Sequence, residues 1–585
     1  MWILRINVSD LSYKLEDVPE KYRLLYGRGL TSQIVFDEVP PLCHALGPNN
    51  KLIFSTGVVT GTIAPSSARV SVGGKSPLTG GIKEANAGTS WGPDLAKLRI
   101  RALIVEGEPK DKKSYAGALI KWDGEKPAVE FFDATEYTGK DIYEVCPQIF
   151  DRFGSKVSIA TTGVAGEMGY ANSGVAFNDR YGRPSRYAGR GGLGAVMASK
   201  RMKFIVLDAK GAPGVEIPNK DLFEEGRKKL VDAIRSHPIS QPKGGLNTYG
   251  TMVLVNILNE AGGLPTRNFS AGRFEGAAKT SGEALFETNK ERMGKEVYNH
   301  GCSPTCIIHC SNTLYKPDQT EATSCIEYES AWSLGANLGV DNLDDIGTMN
   351  QLCNEYGLDT IETGVTLGVA MEAGVIEFGD SKGAIQLIHE MGKGTPLGRT
   401  LSGGTAATGK IYGVTRVPAV KGQGMPAYEP RAVKGIGITY ATTTMGADHT
   451  AGYTICPEIL GVSGKVDPLS PEGKAALSRA FQATTAFIDS SGHCLFIAFP
   501  ILDIATGFEG MIQECNAMLG TDWDADAIVA YGAEVLKVER AFNEAAGLTK
   551  EDDRVPEFMK IEPLPPHNQV FDIPDEALDS VYGEL

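Results

Sequence analysis

The sequence predicts an α+β protein, with β structure concentrated in the first third of the chain and helices in the remainder. Three observations predict it. Short strand-like runs separated by Gly, Pro and Ser turns fill the first 208 residues. A turn-rich linker, Lys210-Gly211-Ala212-Pro213-Gly214, follows them. Beyond it the apolar spacing becomes that of a helix. The strand candidates are Lys51-Leu52-Ile53-Phe54, Ala68-Arg69-Val70-Ser71-Val72, Ala102-Leu103-Ile104-Val105-Glu106 and Lys203-Phe204-Ile205-Val206-Leu207-Asp208. The opening residues, Met1 to Val8, alternate in the same way. Past the linker, Leu222, Phe223, Leu230 and Ile234 share one helical face, and Asn256 to Ala261 and Ile346 to Cys353 continue the helical character. A third region starts around Ile411 to Lys421. Its Ala525 to Ala546 segment is a helix candidate with Ile528, Val535, Leu536 and Phe542 available for burial. No internal repeat of fixed period is visible.

Composition narrows the function classes. A chain of 585 residues has room for two to four domains at about 150 residues each. Its net charge of −15 argues against a general nucleic-acid binder, because polyanions are held by clustered Lys and Arg. A hydrophobic content of 42% with 22% charged residues excludes bulk disorder. No uncharged apolar stretch approaches the roughly 18–20 residues of a membrane span; the run from Cys494 stops at Asp503. The first residues lack a signal peptide's apolar core, and ten cysteines are too sparse for a disulfide scaffold. A reducing cytoplasm with metal-bound or buried thiols is therefore expected. Glycine is high, 70 residues or about 12% against a typical value of about 7%. The clusters Gly73-Gly74, Gly80-Gly81, Gly189 to Gly194 and Gly435 to Gly437 suggest loops wrapped closely around a large polar ligand, with turn-rich β structure as the plain alternative.

Cys302, Cys306 and Cys310 form C-x3-C-x3-C. Three thiols in nine residues can converge on one inorganic centre, and a 4Fe-4S cubane needs a fourth. Cys325, Cys353, Cys456, Cys494 and Cys515 are the candidates. Zinc would more often show paired C-x2-4-C knuckles, which are absent; buried thiols meeting by chance is the remaining alternative. Gly189-Arg190-Gly191-Gly192-Leu193-Gly194 satisfies G-x-G-x-x-G, with Asp208 after a later strand. A dinucleotide fold requires a central strand leading into those glycines. The polar, Pro-broken segment Asn178 to Tyr187 precedes them instead, so a phosphate cradle outside that fold is the better reading.

Several blocks together carry a family resemblance. Thr79-Gly80-Gly81-Ile82-Lys83-Glu84-Ala85-Asn86-Ala87-Gly88, preceded by Lys75-Ser76-Pro77-Leu78, resembles the first-domain signature of the aldehyde:ferredoxin oxidoreductases, tungsten enzymes with a bis-pterin cofactor. Ala188 to Met197 resembles their second cofactor loop. Glu327-Tyr328-Glu329, Tyr428-Glu429-Pro430-Arg431, Asp448-His449 and Asp489-Ser490-Ser491-Gly492-His493-Cys494 follow in the family's order, so the resemblance runs from Arg5 to Phe542.

The resemblance implies a cofactor-bearing β domain over 1–209, a helical domain with the three-cysteine motif over 210–415, and a helical domain with His449 and the fourth cluster cysteine over 416–585. It implies a tungsten (or molybdenum) atom held by four dithiolene sulfurs and a 4Fe-4S cluster on Cys302, Cys306, Cys310 and Cys494. Mg2+ bridging the pterin phosphates would sit on Asn86 and the backbone of Ala188. Arg69 would lie between pterin and cluster, with Gly189, Arg190, Gly191, Gly192, Gly194, Asp489 and Gly492 against the cofactor. The second pterin motif, D-x-x-G-L-D, stands here as Asn354-Glu355-Tyr356-Gly357-Leu358-Asp359, which leaves Asp359 as its acid. The family's cysteine spacing is one residue shorter, C-x2-C-x3-C. Where relatives bridge a dimer by E-x-x-H, this chain has Gln386-Leu387-Ile388-His389, so no bridging metal is expected; a homodimer or hetero-oligomer is left open.

The implied activity is oxidation of an aldehyde to an acid. Glu327 or Glu329 would be the base and His449 the hydrogen-bond donor; a buried structural carboxylate and a satisfied core histidine are the plain alternatives. Electrons would pass through the cluster to ferredoxin or to an iron–sulfur or flavin subunit. The rival readings are the catalytic subunit of a reductase acting on an activated acid or aromatic acyl-CoA, and a non-catalytic carrier of electrons or cofactor.

Overall fold

Twelve strands between Trp2 and Asp208 build two six-stranded mixed sheets in the computed structural model, which describes residues 1–583. They are β1 (Trp2–Asn7), β2 (Ser12–Asp17), β3 (Leu52–Thr56), β4 (Arg69–Lys75), β5 (Ile82–Gly88) and β6 (Ile100–Glu106), then β7 (Ala116–Trp122), β8 (Pro127–Asp133), β9 (Ser158–Thr162), β10 (Val175–Phe177), β11 (Arg186–Ala188) and β12 (Met202–Asp208). The first sheet has the order β2-β1-β6-β3-β4-β5 and the second, read from its far edge, β8-β7-β12-β9-β10-β11. Pairings match one for one. β1 is parallel to β6 as β7 is to β12, and every other neighbouring pair is antiparallel in both sheets. Helices match too: Gly27–Glu38 and Ile142–Phe153 follow the second strand of each unit, and Trp91–Lys97 and Leu193–Ser199 precede the last.

The β region is thus one supersecondary unit used twice, a repeat that a search for a fixed period misses. Equivalent strands drift in offset, from Trp2 against Ala116 to Ile100 against Met202, because the connecting loops differ in length. The two sheets share a core in which Trp91 packs 5.0 Å from the ring of Phe54 and 5.7 Å from that of Phe177. Its indole N–H donates to the Ile205 carbonyl across the interface (3.1 Å), as a buried indole requires.

The expected strands all form, with ends shifted by one to three residues. What the strand reading of this region passed over is its helices. Gly27–Glu38 is buried on almost every side of its first half, so it lacks an apolar stripe that a pattern could reveal. Ile142–Phe153 did carry a signal: a reciprocal capping box between Asp141 and Glu144, with Ile142, Val145, Cys146 and Ile149 at helical spacing.

After the linker the chain is mainly helical. Lys220–Ser236, Leu254–Glu260, Leu343–Tyr356 and Ala525–Ala545 are the helices that the spacing predicts. Lys220–Ser236 lies along Ala505–Leu519. Helices from distant parts of the chain close over the β region; the buried Arg28 guanidinium donates to both oxygens of buried Glu539 (2.8 Å each), tying the first helix to Ala525–Ala545. No helix among the described residues is long and apolar enough to cross a membrane.

Candidate active site

The two sheets approach each other through their edge strands β5 and β11. Asn86 lies near the end of β5 and Ala188 ends β11, so the repeat brings two equivalent strand ends together, each followed by a short helix; in register Ala188 corresponds to Ala87 and Asn86 to Tyr187. A cavity opens between these strands and the helices above them. Arg28, Arg69, Lys83, Glu84, Asn86, Gly189, Arg190, Glu327, Glu329, Asp359, Asp448, His449 and Asp489 line it. A second cavity adjoins it, sharing Arg69, Glu327, Glu329 and His449 and adding Arg186, Cys302, Cys306, Cys310, Cys494 and an apolar wall of Leu254, Tyr328, Tyr428, Tyr453 and Phe496. The two spaces measure about 330 and 250 Å³, and taken together they fall within the range of about 300–1,000 Å³ usual for a small-molecule site.

Four thiols from two distant segments therefore face one space. The Arg69 Nη2 donates to the Cys494 Sγ (3.1 Å), and a Cβ at Gly88, the last residue of β5, would stand 2.9 Å from the Cys302 Sγ. The Cys302 thiol is pushed down by a hydrogen bond from Cys306 and by the guanidinium groups of Arg186 and Arg69, while burial pushes the Cys310 thiol up. Three segments are knotted together at Ser66. Its carbonyl accepts the Cys494 N–H (2.7 Å), its N–H donates to the Thr305 carbonyl (2.8 Å), and its hydroxyl accepts the Ile307 N–H (3.4 Å). Ser66 is held at φ +52° to do so. Of the other fourth-ligand candidates, Cys325 stands nearest: it accepts from Arg186 Nη1 (3.0 Å), but does not line the thiol cavity, and Cys353, Cys456 and Cys515 are buried in apolar clusters. All ten cysteines are unpaired.

The two glutamates at the start of the Tyr328–Ser333 helix differ in their partners. Glu327 has both oxygens engaged, by the Thr251 hydroxyl (2.8 Å) and the Ser311 hydroxyl (3.0 Å), with Arg186 at 3.7 Å. Glu329 accepts only the Ala427 N–H on Oε2 (2.9 Å); its Oε1 is buried, makes no hydrogen bond and lies 3.4 Å from His449 Nε2. Burial pushes Glu329 up to about 8, and it pushes His449 down to about 4 against the pull of Asp448. At neutral pH, Glu329 is an acid close to its titration point and His449 is a neutral imidazole. Asp448 is held well below the usual range by Lys83, His449 and Arg190 despite its burial.

The remaining residues singled out from the sequence divide in two. Arg190 donates to the carbonyls of Ala447 (2.7 Å) and Gly424 (2.6 Å) and to Asp359 Oδ2 (3.2 Å), clamping the glycine loop to the helical regions. Asp359 caps the helix Thr360–Glu372, and Asp489 pairs with Arg28 at 3.2 Å; burial raises each to about 6. Asn354 points elsewhere, donating to the Ser324 carbonyl (3.2 Å). Gly191, Gly192, Gly194 and Gly492 lie outside the cavity lining and serve close packing. A Cβ at Gly194 would stand 2.3 Å from the Gly174 carbonyl, and Gly492, at φ +90°, packs on Gly57. β11 does lead through the glycines into a helix, but it is a sheet-edge strand antiparallel to its neighbour, unlike a dinucleotide fold.

Arg28, Lys83, Glu84, Arg186 and the pairing role of Asp448 were missed. Lys83 and Glu84 were readable: two charges within a strand of otherwise small and apolar residues are buried with a purpose. Burial and the neighbouring Asp489 charge hold Glu84 at about 8, so it keeps its proton at neutral pH.

These residues fit the groups that the resemblance implies. Two equivalent strand ends suit a ligand with two like halves. Buried cations at Arg28, Lys83 and Arg190 suit phosphates, and protonated carboxyls suit the polar edges of a heterocycle. The buried Arg186 Nε and Glu329 Oε1 lack hydrogen-bond partners among the described residues. Four thiols around one space are the donor set of a cubane.

Residues 3–209 match the family described as "Aldehyde ferredoxin oxidoreductase, N-terminal domain", and residues 225–585 match "Aldehyde ferredoxin oxidoreductase, domains 2 & 3". The chain is 38% identical to the tungsten-containing aldehyde ferredoxin oxidoreductase of Pyrococcus horikoshii, over 96% of this chain and 92% of that one. It is 37% identical to the Pyrococcus furiosus protein of the same name, over 96% and 91%, and 25% identical to that organism's aliphatic sulfonate oxidoreductase, WOR-like subunit, over 94% and 87%. Among solved structures, the active site complex BamBC of benzoyl coenzyme A reductase superposes with a TM-score of 0.80 at 17% identity, over 100% of this chain and 93% of that one, a likeness of fold.

Proposed function

The chain belongs to the aldehyde ferredoxin oxidoreductase family and is an oxidoreductase, and from that premise we propose that it oxidises an aldehyde to a carboxylic acid at a tungsten bis-pterin centre. A 4Fe-4S cluster on the four thiols would supply a one-electron relay toward ferredoxin or a bound electron-transfer subunit. One observation carries the reading most of the way: the thiols of Cys302, Cys306, Cys310 and Cys494 face the same space as the Glu329–His449 pair, with Arg69 common to both cavities.

The overall reaction takes an aldehyde and water to an acid, two protons and two electrons. When bound, the tungsten centre supplies the acceptor for that electron pair. Cys302, Cys306, Cys310 and Cys494 would hold the cluster, Asn86 and the Ala188 backbone the magnesium, and Arg190, Asp359 and Asp489 the pterins. Glu329 takes a proton from water on its Oε1 as the water oxygen adds to the carbonyl carbon; the C=O bond re-forms as the aldehydic C–H bond breaks, its proton leaving to solvent and its electron pair to the acceptor that the bound centre would supply. His449, neutral at the working pH, donates a hydrogen bond to the carbonyl oxygen as negative charge gathers there. Tyr328, Tyr428, Tyr453 and Phe496 exclude water from the carbon chain of the substrate. Glu327, tied to Thr251, Ser311 and Arg186, orients the wall beneath the thiols. The reading divides the chain into 1–209, 210–415 and 416–585, and ten unpaired thiols suit a reducing compartment.

Protein prepared without oxygen is expected to hold one tungsten and about four irons per chain, and to reduce a viologen dye only when an aldehyde is added, with the matching acid formed. Tungsten-free protein, or turnover of an activated acid in place of any aldehyde, would overturn the reading. The base also fixes a pH dependence. Glu329 accepts a proton only when ionised, so kcat/KM climbs with pH through about 8. His449 titrates near 4 and adds no second limb between pH 6 and 9. A profile that falls across that interval would remove Glu329 as the base.

A further inference from the structure

Pro304, two residues from both Cys302 and Cys306, is exposed, so the three-cysteine loop reaches the protein surface. Two surface hollows flank it. One is lined by Pro304, Lys97, Lys156, Arg180 and Tyr181, the other by Tyr181, Arg183, Tyr298 and His300. Tyr181 belongs to both and is 58% exposed. It sits with Arg180 in the connection between β10 and β11, and β11 opens with Arg186 inside the thiol cavity. A single short hairpin therefore runs from the surface to the thiols.

The charge of this face opposes that of the chain. Of the acids lining the hollows, Asp94 is matched by Lys97 (2.9 Å) and Asp179 by Arg183 (2.7 Å); Arg183 also pairs with Glu321 (2.9 Å), and Glu296 accepts the Tyr298 hydroxyl (2.9 Å), so the second hollow carries acids of its own. Lys156 and Arg180 are exposed and have no acid partner among the described residues, and Lys243 stands over the ring of Tyr298 at 5.4 Å. On a protein with net charge −15, the hollow beside Pro304 is thus locally positive, through Lys156 and Arg180, around the exposed ring of Tyr181.

We propose that this face docks a small acidic protein that carries one electron at a time. The inference rests on the cluster reading of the four thiols. Each encounter would pass one electron from a cluster held by the four thiols to the carrier, so two encounters would clear the pair released from one aldehyde. Opposite charges raise the encounter rate and orient the carrier, while a small contact area lets it leave quickly. Tyr181 supplies the apolar centre of the contact, and Pro304 brings the carrier within the shortest stretch of chain from the thiols.

The test is the double variant Lys156→Glu with Arg180→Glu in the holoenzyme. Two measurements are made in parallel: surface binding of a purified, acidic two-cluster ferredoxin, and aldehyde-dependent reduction of either that ferredoxin or benzyl viologen. Ferredoxin binding is expected to weaken at least about tenfold, with the KM for ferredoxin rising equally and viologen reduction unchanged. Added salt should weaken wild-type binding far more than that of the variant. Unaltered ferredoxin binding in the variant overturns the proposal, as does a variant whose own sedimentation changes instead, which would make the face a contact between copies of the chain. Absence of aldehyde turnover in the wild type would overturn the aldehyde reading alone, because the binding measurement does not depend on it.

Discussion

Replacing Glu329 with Gln lowers kcat for aldehyde oxidation by about 100- to 10,000-fold, the span that loss of a positioned base produces, while tungsten and iron contents stay at wild-type values. The amide keeps the size of the side chain and cannot take a proton. Its Oε1 has no hydrogen-bond partner among the described residues to lose, so the fold has little reason to respond. The same variant flattens the pH profile between 6 and 9. Glu327→Gln behaves differently: it weakens contacts to Thr251, Ser311 and Arg186, and its losses appear in iron content and thermal stability before they appear in the pH profile. Steady-state rates with a dye acceptor, paired with metal analysis, separate the two. Wild-type turnover in Glu329→Gln would end its role as base.

Removing Cys494 has the second large effect. Cys494→Ala, and equally Cys302→Ala, should bring iron below about half of the wild-type value and abolish the electron paramagnetic resonance signal of the reduced cluster, since a cubane left with three thiolates is readily lost. Cys325→Ala is the matched control, because that thiol stands against Arg186 but outside the cavity lining. It should keep all its iron. Full iron in Cys494→Ala, or a Cys325→Ala protein that loses as much as the others, would refute the assignment of the fourth ligand.

How much of this was legible in the sequence depended on whether the signal was local. The C-x3-C-x3-C spacing exposed three thiols because they are neighbours in the chain; the fourth is some two hundred residues away, and only resemblance picked Cys494 from among five. Edge and core strands such as β1 and β12 were readable from alternation and apolar runs. The helix Gly27–Glu38 was not, since a segment whose first half is buried on almost every side shows no stripe. The repeat of the β unit was invisible for a related reason: it is conserved as connectivity, and loops of unequal length erase its period. The choice between Glu327 and Glu329 could not be read from spacing at all. Two carboxylates two residues apart face different partners, and only the third dimension shows which one is satisfied.

The knot at Ser66 sets an order of events for biogenesis. That one residue joins a strand connection of the β region, the loop between Cys302 and Cys306, and the backbone of Cys494, so the complete thiol set exists only after widely separated parts of the chain have docked. On the cluster reading, inorganic sulfide and iron would be delivered to a nearly finished polypeptide, and fragments expressed separately should emerge colourless.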